Sequence, residues 1–212
     1  MCMDWARRGN RYDASYFERG TELGISGYTQ YQWQPQRSHS EAAAFATAMG
    51  ILPKDGHLVV DFGCAKGYFV RGMLELGFDA YGIDVSDYAR QNCDPMVLGR
   101  LYSPLDNQHQ YECGYVKDTL EHIAYEDIDD VLKYLALIAR RWMIIVPLGN
   151  GKRFNIDEYE CDVTHIIREN VDWWTARVEH VLKVSMASLW VSGLKDKWWP
   201  VNRFGNLVLV TS

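Results

Sequence analysis

Two histidines, several acids and a glycine-bearing turn are the residues of this chain whose types and spacing could do chemistry. The run Val59-Val60-Asp61-Phe62-Gly63-Cys64-Ala65-Lys66-Gly67 sends an apolar segment straight into a turn. Gly82-Ile83-Asp84 ends a second short apolar run twenty-three residues after Asp61. Acids at the ends of two strands suit a mononucleotide-like pocket. A helix beginning after Gly67 would aim its first amides at the strand ends. Gly63 and Gly67 allow close approach or unusual backbone angles, and the Asp84 carboxylate could accept hydrogen bonds from ribose hydroxyls. The turn is neither a G-x-G-x-x-G dinucleotide fingerprint nor a phosphate loop ending in Gly-Lys-Ser/Thr. With no histidine near it in sequence, Cys64 reads as a small residue shaping the turn rather than as a nucleophile.

Two further clusters carry histidine, whose imidazole can accept a proton near neutral pH. In Asp118-Thr119-Leu120-Glu121-His122-Ile123, His122 is a candidate base and Asp118 lies nearer the expected strand end; the plain alternative is that His122 packs against or caps its helix. In Asp162-Val163-Thr164-His165, His165 is the second candidate base, with Asp162 orienting it or binding an acceptor; the alternative is a turn with a cap. The spacing of these residues is not diagnostic of a metal site, and none is expected. Trp173-Trp174 and Trp198-Trp199 could wall a ligand, but such residues more often fill a core.

The elements that must position these groups follow from hydrophobic periodicity. Ser38–Met49 reads as a helix with Ser40 as its cap, stopped by Gly50 and Pro53. Leu58–Phe62 is a strand, Tyr68–Leu76 a helix closed by Gly77, and Ala80–Ile83 a second strand. Ser86 caps a helix to about Cys93. A short strand is expected around Val97-Leu98 and another over Tyr111–Val116. Asp127–Arg141 is a helix with an apolar face, Trp142–Val146 a strand, and Asp172–Leu182 a helix. Val184–Val191 and Asn206–Val210 close the pattern as strands that could be antiparallel neighbours, with a turn in Lys195–Pro200. Such alternation argues for a mostly parallel sheet covered on both faces. Residues 1–37, polar, tyrosine-rich and irregular, are an arm that either covers a pocket, with Tyr16 a candidate acceptor contact, or packs on the surface. Residues 38–212 form one domain with a polar insertion at 148–170.

The chain of 212 residues is long enough for one sizeable core, and its 48% hydrophobic and 24% charged residues are ordinary for a globular protein. A net charge of -6 disfavours a broad nucleic-acid surface. No apolar run approaches a membrane span, the first residues lack a signal pattern, and five widely spaced cysteines fit reduced thiols. These features point to a cytoplasmic protein.

The stretch Val60–Gly67 resembles the first motif of the class I S-adenosylmethionine-dependent methyltransferases, Gly82-Ile83-Asp84 resembles the second, and Asp118–Ile123 resembles the segment after the fourth strand of many small-molecule members. The resemblance spans about residues 56–147. It implies a Rossmann-like, mostly parallel seven-stranded sheet with helices on both faces and an antiparallel last strand. It also implies S-adenosyl-L-methionine as cofactor, contacted by Asp61, Gly63, Cys64, Gly67, Asp84 and Asp118. The insertion would lie over the acceptor, placing Asp162 and His165 there. Lys66 and Lys117 depart from the family's pattern, and no clear motif marks the third strand. The implied activity is methyl transfer to an oxygen or nitrogen of a small molecule. A nucleic-acid methyltransferase and a non-catalytic cofactor-binding partner subunit are the alternatives; the residues do not specify an oligomeric state.

Overall fold

The structure, a computed structural model, describes residues 3–189, 194 and 205–211. In chain order its elements are α1 (Ala14–Leu23), α2 (Pro35–Met49), β1 (Leu58–Phe62), α3 (Tyr68–Glu75), β2 (Asp79–Ile83), α4 (Asp87–Gln91), β3 (Leu101–Tyr102), β4 (Tyr111–Lys117), α5 (Ile128–Ile138), β5 (Ala139–Pro147), α6 (Val171–Leu182), β6 (Met186–Ser188) and β7 (Asn206–Thr211), with short 3-10 turns between some of them. The strands form one sheet in the order β3-β2-β1-β4-β5-β7-β6. β1 to β5 run parallel, and β7 lies antiparallel between β5 and β6. The expected seven-stranded fold with an antiparallel last strand is therefore present.

The strand period of two divides the core between the faces. Val60, Ile144 and Val146 point into one cluster with α5 and α6, which supply Leu132, Leu135, Trp174 and Val178. Their neighbours Val59, Met143 and Ile145 point into a second cluster with Phe45, Phe69 and Met73 from α2 and α3. Strands buried on both faces read as continuous apolar runs, which is why β1 and β5 stood out.

Several boundaries differ from expectation. The arm is not irregular: it holds α1, capped by the Asp13 carboxylate, which accepts from the amides of Ser15 and Tyr16, and ended by Gly24 at φ 66°. α2 begins at Pro35 rather than being capped by Ser40, since proline suits the first helical position. Residues 95–97 form a 3-10 turn capped by Asp94, and the edge strand falls at Leu101–Tyr102 instead of Val97-Leu98. Arg140 and Arg141 do not close α5. Ala139 is already extended, and both arginines lie in β5, where Arg141 donates to the Met49 carbonyl. Ser86 does cap α4, accepting from the Ala89 amide, but that helix ends at Gln91. Trp174 is core and Trp173 packs edge-on against it, whereas Trp198-Trp199 and the Lys195–Pro200 turn lie outside the described residues. No helix among the described residues is long and apolar enough to cross a membrane.

Candidate functional site

The carboxyl ends of β1, β2 and β4 meet in a cradle made largely of backbone. β1 runs into Gly63 at φ 82°, Ala65 at φ 48° and Gly67 at φ 80°. A Cβ on Gly63 would lie 2.2 Å from Thr119 Oγ1, so this turn passes directly against the turn after β4. Asp84, at the end of β2, accepts from the amides of Ala65 and Ser86, each at 2.7 Å. Burial raises its pKa, opposed by those two amides and by Arg90. The carboxylate thus locks the glycine turn to β2 while bordering a cavity. Asp118 follows β4 at φ 52°, a left-handed angle uncommon for a residue with a side chain.

Two cavities open on this cradle. The first is walled by Phe62, Ile83, Val85, Pro104 and Ile123, and Asp84 and the arm's Tyr12 and Tyr16 also line it. The second contains Asp61, Arg37, Glu41 and Lys117 beside Tyr31 and Tyr68. Both are bordered by Tyr28, Gly63, Ala65 and Asp118, where they join. In the charged cavity Glu41 bridges Arg37 at 3.0 Å and Lys117 at 3.1 Å, and Lys117 also reaches Asp118 at 3.4 Å. Burial works against the Glu41 carboxylate, but Lys117 and Arg37 outweigh it and hold its pKa below the ordinary value. Asp61 goes the other way: burial, then the charges of Glu41 and Asp84, push it well above the usual carboxylate range.

The residues singled out in the glycine turn divide by role. Asp61, Gly63 and Cys64 border a cavity. Gly67 does not: it heads α3, packed against Val97 and Leu101. The Cys64 side chain is buried beneath Gly82, and burial pushes its thiol up, as suits a turn-shaping residue. Lys66 ties the turn to the arm through Glu18 at 2.5 Å and the Tyr31 carbonyl at 3.3 Å. Lys117 is a cation of the cavity floor.

On the other side of the first cavity, side chains from three regions converge. Tyr16 donates its hydroxyl proton to Asp162 Oδ2 at 2.7 Å. Thr164 donates its amide and its hydroxyl to Asp162 Oδ1 at 2.8 and 2.5 Å. With its proton spent there, Thr164 accepts from His122 Nδ1 at 2.7 Å. His165 Nδ1 donates to the Tyr159 carbonyl at 2.6 Å, and the two imidazoles lie 4.5 Å apart between centroids. The expected pairing of Asp162 with His165 is therefore replaced: Asp162 orients His122 through Thr164 while forming a turn, and Tyr159 fixes His165. His122 borders the cavity and His165 lies behind it. Burial and the adjacent His165 push the His122 pKa below the ordinary histidine value, favouring the neutral imidazole.

Tyr12 and Tyr28 belong to the tyrosine-rich arm and line the first cavity, whereas nothing in the sequence marks Arg37 and Glu41 as cavity residues. An i,i+4 Arg–Glu pair ordinarily marks a solvated helix face. The available signal was Lys117, a charge ending an otherwise apolar strand, which needs a partner when buried.

No protein-family model matches the chain, and no curated protein matches it. Solved structures do match. The structure of Burkholderia thailandensis 1,6-didemethyltoxoflavin-N1-methyltransferase with bound 1,6-didemethyltoxoflavin and S-adenosylhomocysteine is similar at TM-score 0.64 and 15% identity, over 99% of this chain and 88% of that one. Magnesium protoporphyrin IX methyltransferase from Synechocystis with bound S-adenosylhomocysteine gives TM-score 0.61 and 17% identity over 96% and 98% of the two chains. A SAM-dependent methyltransferase from Archaeoglobus fulgidus gives 0.58 and 14% over 82% and 93%. At these identities the likeness is one of fold: this chain has the Rossmann-like fold of S-adenosylmethionine-dependent methyltransferases.

Proposed function

We propose that this protein is an enzyme that transfers a methyl group from S-adenosyl-L-methionine to an oxygen or nitrogen of a small-molecule acceptor. The observation that carries the reading is the junction of an apolar cavity bearing Asp84 with a charged one bearing Asp61, Arg37 and Lys117. That division matches an adenosyl group on one side and a zwitterionic amino acid on the other. Asp84 is placed to accept from ribose hydroxyls. Asp61 and Asp118 suit an ammonium group, and Arg37 and Lys117 a carboxylate. Gly63 and Ala65 lie where the two cavities join. When bound, S-adenosyl-L-methionine supplies an electrophilic methyl group on a sulfonium.

The chain's own part is to align an acceptor with that methyl group and keep water away, since proximity and orientation supply much of the acceleration. Tyr12, Tyr16 and Tyr28 cover the junction as a lid formed by residues 3–37. Residues 148–170 complete the cover, joined to the arm by the Tyr16–Asp162 bond and by the Val163 amide on the Ile25 carbonyl. His122 faces the acceptor as an orienting group, and Asp162 fixes it from behind. The acidic net charge of -6 favours a small molecule over a nucleic acid. The free thiols among the described residues suit the cytoplasm.

Titration calorimetry with S-adenosylmethionine and S-adenosylhomocysteine tests the reading. Both are expected to bind, with binding lost in Asp84→Ala, and an acceptor screen following labelled methyl transfer comes next. Folded wild-type protein that binds neither ligand would overturn it.

A further inference from the structure

We propose that Glu121, His122 and His165 form a divalent transition-metal site in the wall of the apolar cavity, and that the acceptor meets it through an oxygen. The second half of this statement rests on the methyl-transfer reading; the first half does not.

The forty-odd residues between His122 and His165 are bridged by docking. The amides of Ile166 and Ile167 both donate to the Glu121 carbonyl, at 2.7 and 2.9 Å, which brings His165 against the 3-10 turn Leu120–His122. One ligand atom from each of the three side chains then lies within 4.8 Å of the others. Metal bonds of about 2.0–2.2 Å to nitrogen and oxygen place ligand atoms no more than about 4.4 Å apart, so closure by about half an ångström completes the set.

The surrounding hydrogen bonds argue for the same use. His165 Nδ1 donates to a carbonyl, and His122 Nδ1 donates to a threonine oxygen whose own proton is committed to Asp162. Each ring is thereby held in the tautomer that leaves Nε2 with a lone pair, and ligating imidazoles are oriented in this way from behind. His165 Nε2 faces Glu121 Oε1 at 3.9 Å, with the Glu121 side chain fully buried and that of His165 8% exposed. A carboxylate oxygen and an imidazole nitrogen facing each other at that separation are a donor pair that a cation can share.

Two nitrogens and one carboxylate suit manganese, iron, cobalt, nickel or zinc better than magnesium or calcium, which prefer oxygen. Three protein ligands leave positions open, and His122 places them beside the cavity. A metal there would lower the pKa of an acceptor hydroxyl. The hydroxyl proton leaves to solvent, an O–CH3 bond forms as the S–CH3 bond breaks, and the sulfonium departs as a neutral thioether. No electron transfer is needed.

The test is titration of the chelator-stripped full chain with Co2+, followed by visible absorption and calorimetry. One ion per chain is expected, bound more than about 100-fold more weakly by His122→Ala, His165→Ala and Glu121→Gln. The same variants are expected to keep S-adenosylhomocysteine binding, which establishes that they fold; Asp84→Ala should show the reverse, losing that ligand and keeping Co2+. Folded wild-type protein that takes up no Co2+ would sink the proposal. So would uptake indifferent to the histidine substitutions. Wild-type protein that binds Co2+ at the triad but not S-adenosylhomocysteine would leave the metal site standing and remove the methyl-transfer reading.

Discussion

The two walls of the site are built by opposite means. The cradle side is contiguous chain: Asp61 to Gly67 and Asp84 to Ser86, held by backbone angles and by two amides on one carboxylate. The other side is a cluster of side chains from positions 16, 121, 122 and 159–165, held by hydrogen bonds that exist only once three regions have docked. A backbone-made wall fails when a turn can no longer be formed. A side-chain-made wall fails piece by piece, and each piece has a different readout.

Breaking the cradle should have the largest effect. Gly63→Ala places a methyl group where Thr119 already lies, at a positive φ, and is expected to cost more than about 2 kcal/mol while abolishing S-adenosylhomocysteine binding. Urea unfolding followed by calorimetry measures both, and unchanged binding would mean that the turn is not under backbone constraint. Next comes Tyr16→Phe, which removes one of the bonds joining the arm to residues 148–170. It should destabilise by about 1–3 kcal/mol and speed protease cleavage within the arm. Equal cleavage rates in wild type and variant would show that this bond does not hold the cover down.

Asp61→Asn sharpens the comparison by its sign. Between the ordinary carboxylate pKa of about 4 and its raised folded value, the folded chain keeps a proton on Asp61 that the unfolded chain has released. That contribution to stability is lost as pH rises through the window. The substitution should flatten this slope and raise the pH 7 melting temperature by about 2–4 °C for each kcal/mol recovered, while weakening cofactor binding. A parallel slope in wild type and variant would contradict a charge held at energetic cost. The smallest expected effect is that of Lys66→Met, which breaks the tie to Glu18. A part-exposed pair of this kind contributes up to about 1 kcal/mol, so S-adenosylhomocysteine should dissociate a few times faster with little change in melting temperature.

The same contrast explains what could be read before any coordinates. β1 falls at Leu58–Phe62, Ser86 is a helix cap, and Asp84 meets the glycine turn, because each depends on neighbours in sequence or on strand periodicity. α1 is not legible although Asp13 offers a cap, since the adjacent Tyr16 and Phe17 and the interior Gly20 blur the helical period. Asp162 and His165 read as a pair because they lie three positions apart. The turn sends their side chains to different partners, and no spacing rule reveals that Thr164 stands between Asp162 and a histidine forty-two residues away. The acids and cations of the charged cavity are scattered over α2, β1 and β4, and the pairing of β1 with β4 together with the contact of α2 on β4 assembles them.

The place of β7 in the sheet bears on the order in which the molecule can be built. Among the described residues β6 joins the sheet only through β7, which lies between it and β5. A chain emerging from the ribosome makes β6 first, yet that strand has no edge to add to until Asn206–Thr211 has been synthesised and has slotted beside β5. Until then β5, with Met143, Ile144, Ile145 and Val146 all destined for the interior, is an open and apolar edge. The nascent chain therefore carries this open apolar edge from the completion of β5 until β7 is in place, after the cradle is already complete.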